Sequence, residues 1–91
     1  MNKAELIDAI AGKTGDSQAG AGSSLDATLE IIGSALARGE KVQLTGFGTF
    51  ERRHRAARMG RNPRTGAAVP IAASNVPAFK AGKALKDKVN Q

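Results

Sequence analysis

Residues 46–66 read Gly46-Phe47-Gly48-Thr49-Phe50-Glu51-Arg52-Arg53-His54-Arg55-Ala56-Ala57-Arg58-Met59-Gly60-Arg61-Asn62-Pro63-Arg64-Thr65-Gly66. Upstream, Val42 and Leu44 alternate with Lys41 and Gln43, Thr45-Gly46 gives a turn signal, and Gly48-Thr49-Phe50 resumes an extended pattern. A β-hairpin is predicted, with Phe50 on the core face and, by strand alternation, Arg53 and Arg55 on the opposite face. From Arg52 the apolar residues thin out to Ala56, Ala57 and Met59. Such a stretch carries no core of its own and is predicted to project from the body. Asn62-Pro63-Arg64-Thr65-Gly66 has the composition of a turn, and Val69, Ile71 and Ala73 alternate as a returning strand. The result is a long two-stranded arm with its tip near Pro63.

Helical patterns precede the hairpin. Leu6, Ile7, Ile10 and Ala11 form one stripe, with Asn2 as N-cap, Glu5 three residues later, and Gly12 and Gly15 as the stop. A second helix starts at Asp16 or Ser17, carries Ala21, Leu25, Leu29, Ile32 and Leu36 on one stripe, and ends at Gly39. Gly20, Gly22 and Gly33 each cost about 1 kcal/mol relative to Ala, so packing rather than propensity is expected to hold this helix, with close helix approach as the reason for the glycines. After the arm, Phe79 is a further core anchor. A short helix follows from Ala81-Gly82, with Leu85 and Val89 inward and Lys83 and Lys86 toward solvent. The fold class is α+β: two N-terminal helices, a three-stranded antiparallel sheet extended into a β-ribbon arm, and a short C-terminal helix. One domain is expected over 1–91: a helical base and first hairpin (1–51), the arm and flanking strands (52–76), and a closing strand end and helix (77–91). A chain of 91 residues buries a limited core, so a second chain is expected to complete it.

Charge is strongly asymmetric. Residues 1–51 hold four cations against seven acids, a net of −3, whereas residues 52–91 hold ten cations against Asp87 alone, a net of +9. Between Glu51 and Asp87 there is no carboxylate, so these cations face either water or a polyanion, and their length and arginine content favour nucleic acid. There is no Cys and a single His, His54, which excludes disulfides, thiolate metal sites and a histidine cluster within one chain. No pair of carboxylates lies in an apolar setting, and Gly46-Phe47-Gly48 lacks the further glycine and following helix of a dinucleotide loop. No enzyme activity, metal, cofactor or small-molecule substrate is expected. Charges or glycines interrupt every apolar stretch, and Met1-Asn2-Lys3-Ala4-Glu5 lacks the order of a signal peptide. A cytoplasmic protein without membrane contact is predicted.

The chemistry therefore concentrates in the arm. Arg52, Arg53, Arg55, Arg58, Arg61 and Arg64 are planar, permanently charged forks suited to phosphate oxygens and minor-groove acceptors. Pro63 is a turn former, and its rigid apolar ring without an N–H also suits a wedge between base pairs, with Asn62 beside it for base-edge acceptors.

Taken together, Gly46-Phe47-Gly48-Thr49-Phe50, Arg58, Arg61-Asn62-Pro63, Thr65-Gly66, Val76-Pro77-Ala78-Phe79-Lys80 and Gly82-Lys83-Ala84-Leu85-Lys86 resemble the HU and integration host factor family of bacterial histone-like proteins, HU most of all, from end to end. The resemblance implies an intertwined dimer, with a helical base under a saddle of sheet and two arms that embrace a duplex. It implies Leu29, Ile32, Leu36, Leu44, Phe47, Phe50 and Phe79 in the dimer core. It assigns the kinking intercalation to Pro63, and groove or backbone contacts to Arg53, Arg55, Arg58 and Arg61; Asn62 and Arg64, beside Pro63, join these DNA-binding candidates on the reading of the residues themselves. Lys80, Lys83 and Lys86 would hold flanking DNA, and Lys3 would meet either Asp26 or a phosphate. The implied partner is double-stranded DNA, bent, nicked or gapped by preference and without strong sequence choice, in the bacterial nucleoid. One departure is Pro70, placed before Ile71 where relatives commonly place a proline after it, so a ladder donor is lost and a looser return strand is expected. The alternatives are a sequence-specific, heterodimeric integration host factor subunit and an RNA-binding protein. The latter is disfavoured by the absence of Tyr and Trp for base stacking.

Overall fold

The computed structural model describes all residues, Met1–Gln91. Its elements run α1 (Lys3–Thr14), α2 (Gln18–Ala37), β1 (Val42–Leu44), β2 (Gly48–Arg55), β3 (Arg58–Arg61), β4 (Ala68–Ile71), β5 (Ser74–Ala81) and α3 (Lys83–Val89). The α+β class, the two leading helices, the three-stranded antiparallel sheet, its ribbon extension and the closing helix are all present. Two compact units divide the chain, Met1–Ser34 and Ala35–Gln91.

In the first unit, the Asn2 side-chain oxygen accepts the Glu5 amide at 2.9 Å, which starts α1. Gly12 does not stop the helix. α1 continues to Thr14 and ends at Gly15, whose φ of 78° suits glycine and whose N–H donates to the Ala11 carbonyl. Ser17 caps α2 by accepting the Gly20 amide at 3.0 Å. Of the α2 glycines in this unit, Gly22 faces Ile7 of α1 at the spacing of ordinary contact, while Gly33 has open space around it. A Cβ would be accommodated at both positions, so close helix approach, expected from the sequence, requires glycine at neither.

In the second unit, α2 ends in a Schellman arrangement: Gly39 (φ 82°) donates to the Leu36 carbonyl and Glu40 to that of Ala35. The β1–β2 hairpin turns at Gly46 (φ 86°), closed by the Phe47 amide donating to the Leu44 carbonyl at 2.9 Å. The sheet order is β1-β2-β5, and β2 pairs with β5 from Gly48↔Ala81 to Arg55↔Ser74. Phe79 centres the apolar face, with ring centroids 4.8 Å from Phe50 and 5.4 Å from Phe47. Gly48 is obligatory there, because a Cβ would lie 2.5 Å from the Phe79 ring and 2.6 Å from the Lys80 carbonyl.

The arm is a ribbon with one interruption. β3 pairs with β4 from Arg58↔Ile71 to Arg61↔Ala68, in the same register as β2 with β5, and Ala56-Ala57 and Ala72-Ala73 lie unpaired between. What changes across the gap is the hydrogen-bond phase. The Gly82 amide donates to Phe47 at one end of the ladder, and the Asn62 amide donates to Ala67 at the other. Bonded and non-bonded pairs alternate in an antiparallel ladder, so bonded positions are odd-numbered in β2 and even-numbered in β3. Pro77 opposite Arg52 and Pro70 opposite Met59 both then fall on non-bonded pairs, where no N–H is required. Two prolines an odd number of residues apart cannot both do so in an unbroken ladder. Pro70 thus keeps its place in the paired return strand.

Few side chains are buried. Ala21 and Ala35 are the buried apolar residues, whereas Leu29 (51%), Phe47 (47%), Leu44 (40%) and Phe79 (40%) remain exposed, with Phe50, Ile32 and Leu36 half-buried. The chain presents 7183 Å² to solvent, against about 5,000 Å² for a folded monomer of this mass. Val89, expected inward, is 72% exposed on the last turn of α3, while Leu85 is half-buried.

Gly48→Ala is expected to lower the unfolding free energy by about 1–3 kcal/mol through overpacking. Gly12→Ala, in a helix interior with open space around it, is expected to raise it by about 1 kcal/mol. Denaturant titrations read both, and shifts of the same sign would contradict this packing.

Candidate nucleic-acid interface

Strand alternation divides the cations of β2. Thr49, Glu51, Arg53 and Arg55 share one face, and Phe50, Arg52 and His54 the other. Arg53 and Arg55 thus project away from the phenylalanine face as expected, opposite Val76 and Ser74. On their face lies one carboxylate, Glu51, whose Oε1 accepts from Arg53 Nη2 at 3.0 Å and whose Oε2 is 4.0 Å from Lys41 Nζ. The Arg53 hydrogen bond holds this carboxyl below its ordinary value; burial opposes it, and the charges of Arg53, Lys41 and Lys80 add to the lowering.

Arg52 departs from the sequence expectation. Its Nη1 donates to the Ala37 carbonyl at 3.1 Å, and its guanidinium lies over Gly39, where a Cβ would sit 2.9 Å from Nη2. It satisfies the carbonyl end of α2, where a cation also complements the helix dipole. Its guanidinium is therefore engaged within the fold. His54 Nδ1 lies 3.1 Å from the Asn75 side-chain oxygen across the ladder, so it too is engaged within the sheet.

Beyond the gap, Arg58, Met59 and Arg61 are exposed, and the phase change means their faces do not follow by counting from Phe50. The tip is built by short-range bonds. Asn62 Oδ1 accepts the Arg64 amide at 2.8 Å, the Gly66 amide donates to the Asn62 carbonyl at 2.7 Å, and Arg61 Nη1 donates to the Gly66 carbonyl at 3.0 Å. Asn62 thus spends its oxygen on the turn and keeps its NH₂ as a donor. Gly66 takes φ 72°, and Pro63 and Arg64 are exposed at the apex.

The remaining cations are spread outside the arm. Lys80 is exposed on β5, opposite Thr49. On α3, Lys83 pairs with Asp87 at 3.0 Å while remaining 90% exposed, and Lys86 is exposed and makes no ion pair. In the first unit, Lys3 pairs with Asp26 at 2.6 Å. The pairing anticipated for these two residues is present. No three His, Cys, Asp or Glu side chains are grouped to hold a metal ion, and no helix is long and apolar enough to cross a membrane.

A family model described as "Bacterial DNA-binding protein" matches residues 1–90. Among relatives, DNA-binding protein HU-alpha of Vibrio proteolyticus is 62% identical over 89 residues, covering 98% of this chain and 99% of its own length. The chain belongs to the HU family of bacterial DNA-binding proteins. DNA-binding protein HU of Staphylococcus aureus is similar at 61% identity, with the same coverage. Among solved structures, a cocrystal of Anabaena HU with DNA is similar at TM-score 0.92 and 50% identity, over 98% of this chain and 97% of that one. HU from Thermotoga maritima is similar at TM-score 0.70 and 43% identity, over 98% of each chain. Membership of the HU family makes the chain a DNA-binding protein rather than an enzyme.

Within this HU-family frame, sequence reasoning overlooked Lys41 and Glu51. The available signal was that Glu51 is the last carboxylate before the acid-free run and sits two positions from Arg53 in a strand. Arg52→Ala is expected to lower the unfolding free energy by about 0.5–1.5 kcal/mol and to weaken duplex binding less than Arg55→Ala does. An unchanged melting temperature with a full loss of DNA affinity would return Arg52 to the interface.

Proposed function

We propose that this HU-family chain acts as a homodimeric, largely sequence-nonspecific DNA-bending protein of the bacterial nucleoid, in the cytoplasm. The whole chain serves as one DNA-binding module. The observation that carries the reading is the arm: a two-stranded ribbon without a core, free of carboxylates from Arg52 to Lys86, with Pro63 exposed at its apex. A ribbon is slim enough to follow a minor groove, and Arg53, Arg55, Arg58, Arg61 and Arg64 supply the forks. Arginine contacts to phosphate position a protein without reading bases, which supports weak sequence preference. Pro63 acts as the wedge at a kink and Asn62 donates its NH₂ to base-edge acceptors, while Lys80, Lys83, Lys86 and Lys3 hold the flanking duplex. Minor-groove architectural proteins, HU among them, bend DNA by such wedges at an unstacking cost of a few kcal/mol per step, and nicked or gapped sites lower that cost.

The dimer reading rests on exposed apolar surface. Leu29, Leu44, Phe47 and Phe79 are open to solvent in the single chain, and its surface exceeds the monomer expectation by an amount a partner would cover. Size-exclusion chromatography with light scattering is expected to give twice the chain mass, and a monomer would overturn this reading.

The decisive experiment is a mobility-shift titration of wild type and Pro63→Ala on an intact and a nicked duplex of one sequence, at several salt concentrations. Wild type is expected to prefer the nicked duplex and Pro63→Ala to lose much of that preference. With about six to nine phosphates neutralised, log affinity against log salt should fall with a slope near −5 to −8. A flat salt response, or equal treatment of both duplexes by both proteins, contradicts the kinking arm. Lys3→Ala is expected to weaken binding to long DNA more than it changes melting, because an exposed pair such as Lys3–Asp26 contributes only about 0–1 kcal/mol.

A further inference from the structure

We propose that Glu51 is a built-in counter-charge of the DNA-binding face, which holds Arg53 and Lys41 in the DNA-free protein and must yield them to phosphate on binding. The role presupposes that this face meets DNA, as proposed above. The geometry is specific: one carboxylate reaches two cations with separate oxygens, Arg53 Nη2 on Oε1 at 3.0 Å and Lys41 Nζ at 4.0 Å from Oε2. Its side chain is only 20% exposed, whereas those of Arg53 and Lys41 are 57% and 72% exposed. The carboxylate is therefore the fixed partner and the cations the movable ones. Arg53 is on β2 and Lys41 immediately precedes β1, the neighbouring strand, so the cluster spans the hairpin. The lowered protonation tendency of Glu51 agrees with a carboxylate that stays charged.

A structural ion pair alone would not need to sit on this face. Glu51 stands beside Arg53 on the face away from the phenylalanines, and from Arg52 onward no acid follows until Asp87. A phosphate brought to Arg53 meets a like charge within a few ångströms, and Arg53 must exchange one anionic partner for another. The exchange lowers affinity for any duplex and reduces the number of counterions released. Glu51 thus acts as a positioning residue that tunes affinity downward, keeping a cationic face from holding DNA too tightly.

The test is a fluorescence-anisotropy titration of Glu51→Gln, with Glu30→Gln as control, on a short labelled duplex across a salt series. Glu30 is an exposed carboxylate without an ion pair, and its replacement changes net charge equally. Glu51→Gln is expected to bind about three- to tenfold more tightly at low salt, with a salt slope steeper by up to about one, and Glu30→Gln to gain less. In an Arg53→Ala/Lys41→Ala background the Glu51→Gln gain should fall to the control level, which a mutant cycle reads directly. Unchanged or weaker binding by Glu51→Gln at unaltered secondary structure overturns the counter-charge, as does a gain that survives when both Arg53 and Lys41 are replaced by Ala. Failure of the wild type itself to bind DNA is a separate outcome: it overturns the DNA-binding reading and this role with it.

Discussion

The pairing of β2 with β5 is the constraint on which the rest depends. One ladder, from Gly48↔Ala81 to Arg55↔Ser74, assembles Phe50 and Phe79 on one face and fixes Arg53 and Arg55 on the other. Its register carries past the gap into β3 and β4, so the tip at Asn62–Gly66 is placed by pairing begun many residues earlier. A projecting ribbon has little apolar burial to offset its conformational entropy. The phenylalanine cluster, with aromatic pairs worth about 0.5–1.5 kcal/mol each beyond their area, anchors the ribbon at its root. Gly48 permits that anchor by leaving the Phe79 ring room against the strand.

Charge is organised by the same ladder. The acid-free run gives the arm cations that nothing within it neutralises, while the root pairs its cations selectively: Arg52 with the end of α2, and Arg53 and Lys41 with Glu51. Arginines adjacent in sequence therefore differ in kind. Arg52 is tied to the carbonyl end of α2, and Arg53 is paired with an exchangeable carboxylate partner on the opposite face.

Much of this was legible in the sequence, because local rules decided it. Asn2 capping Glu5, Gly15 and Gly39 at positive φ, the Gly46 turn and the Asn62–Gly66 tip each follow from a residue's own conformational or hydrogen-bonding preference. Non-local choices were not legible. Arg52 looked like its neighbours because its distinguishing partner, the Ala37 carbonyl, lies fifteen residues away. The gap at Ala56-Ala57 and Ala72-Ala73 carries no turn residue, and only the odd separation of Pro70 and Pro77 along the return strand hinted that the ladder changes phase between them. Gly12 suggested a stop, yet α1 passes through it, since one glycine costs only about 1 kcal/mol. Around Arg53, sequence reasoning found the arginines and passed over Lys41 and the carboxylate of Glu51 that pairs with both cations.

The central claim is that the arm bends DNA through its apex, and the most direct measurement is the end-to-end distance of a short duplex labelled at both ends, followed by energy transfer as protein is added. The account predicts that wild type shortens the distance at saturation, and that Pro63→Ala, brought to equal saturation, leaves the duplex markedly straighter. An unchanged distance with wild type fully bound would contradict it.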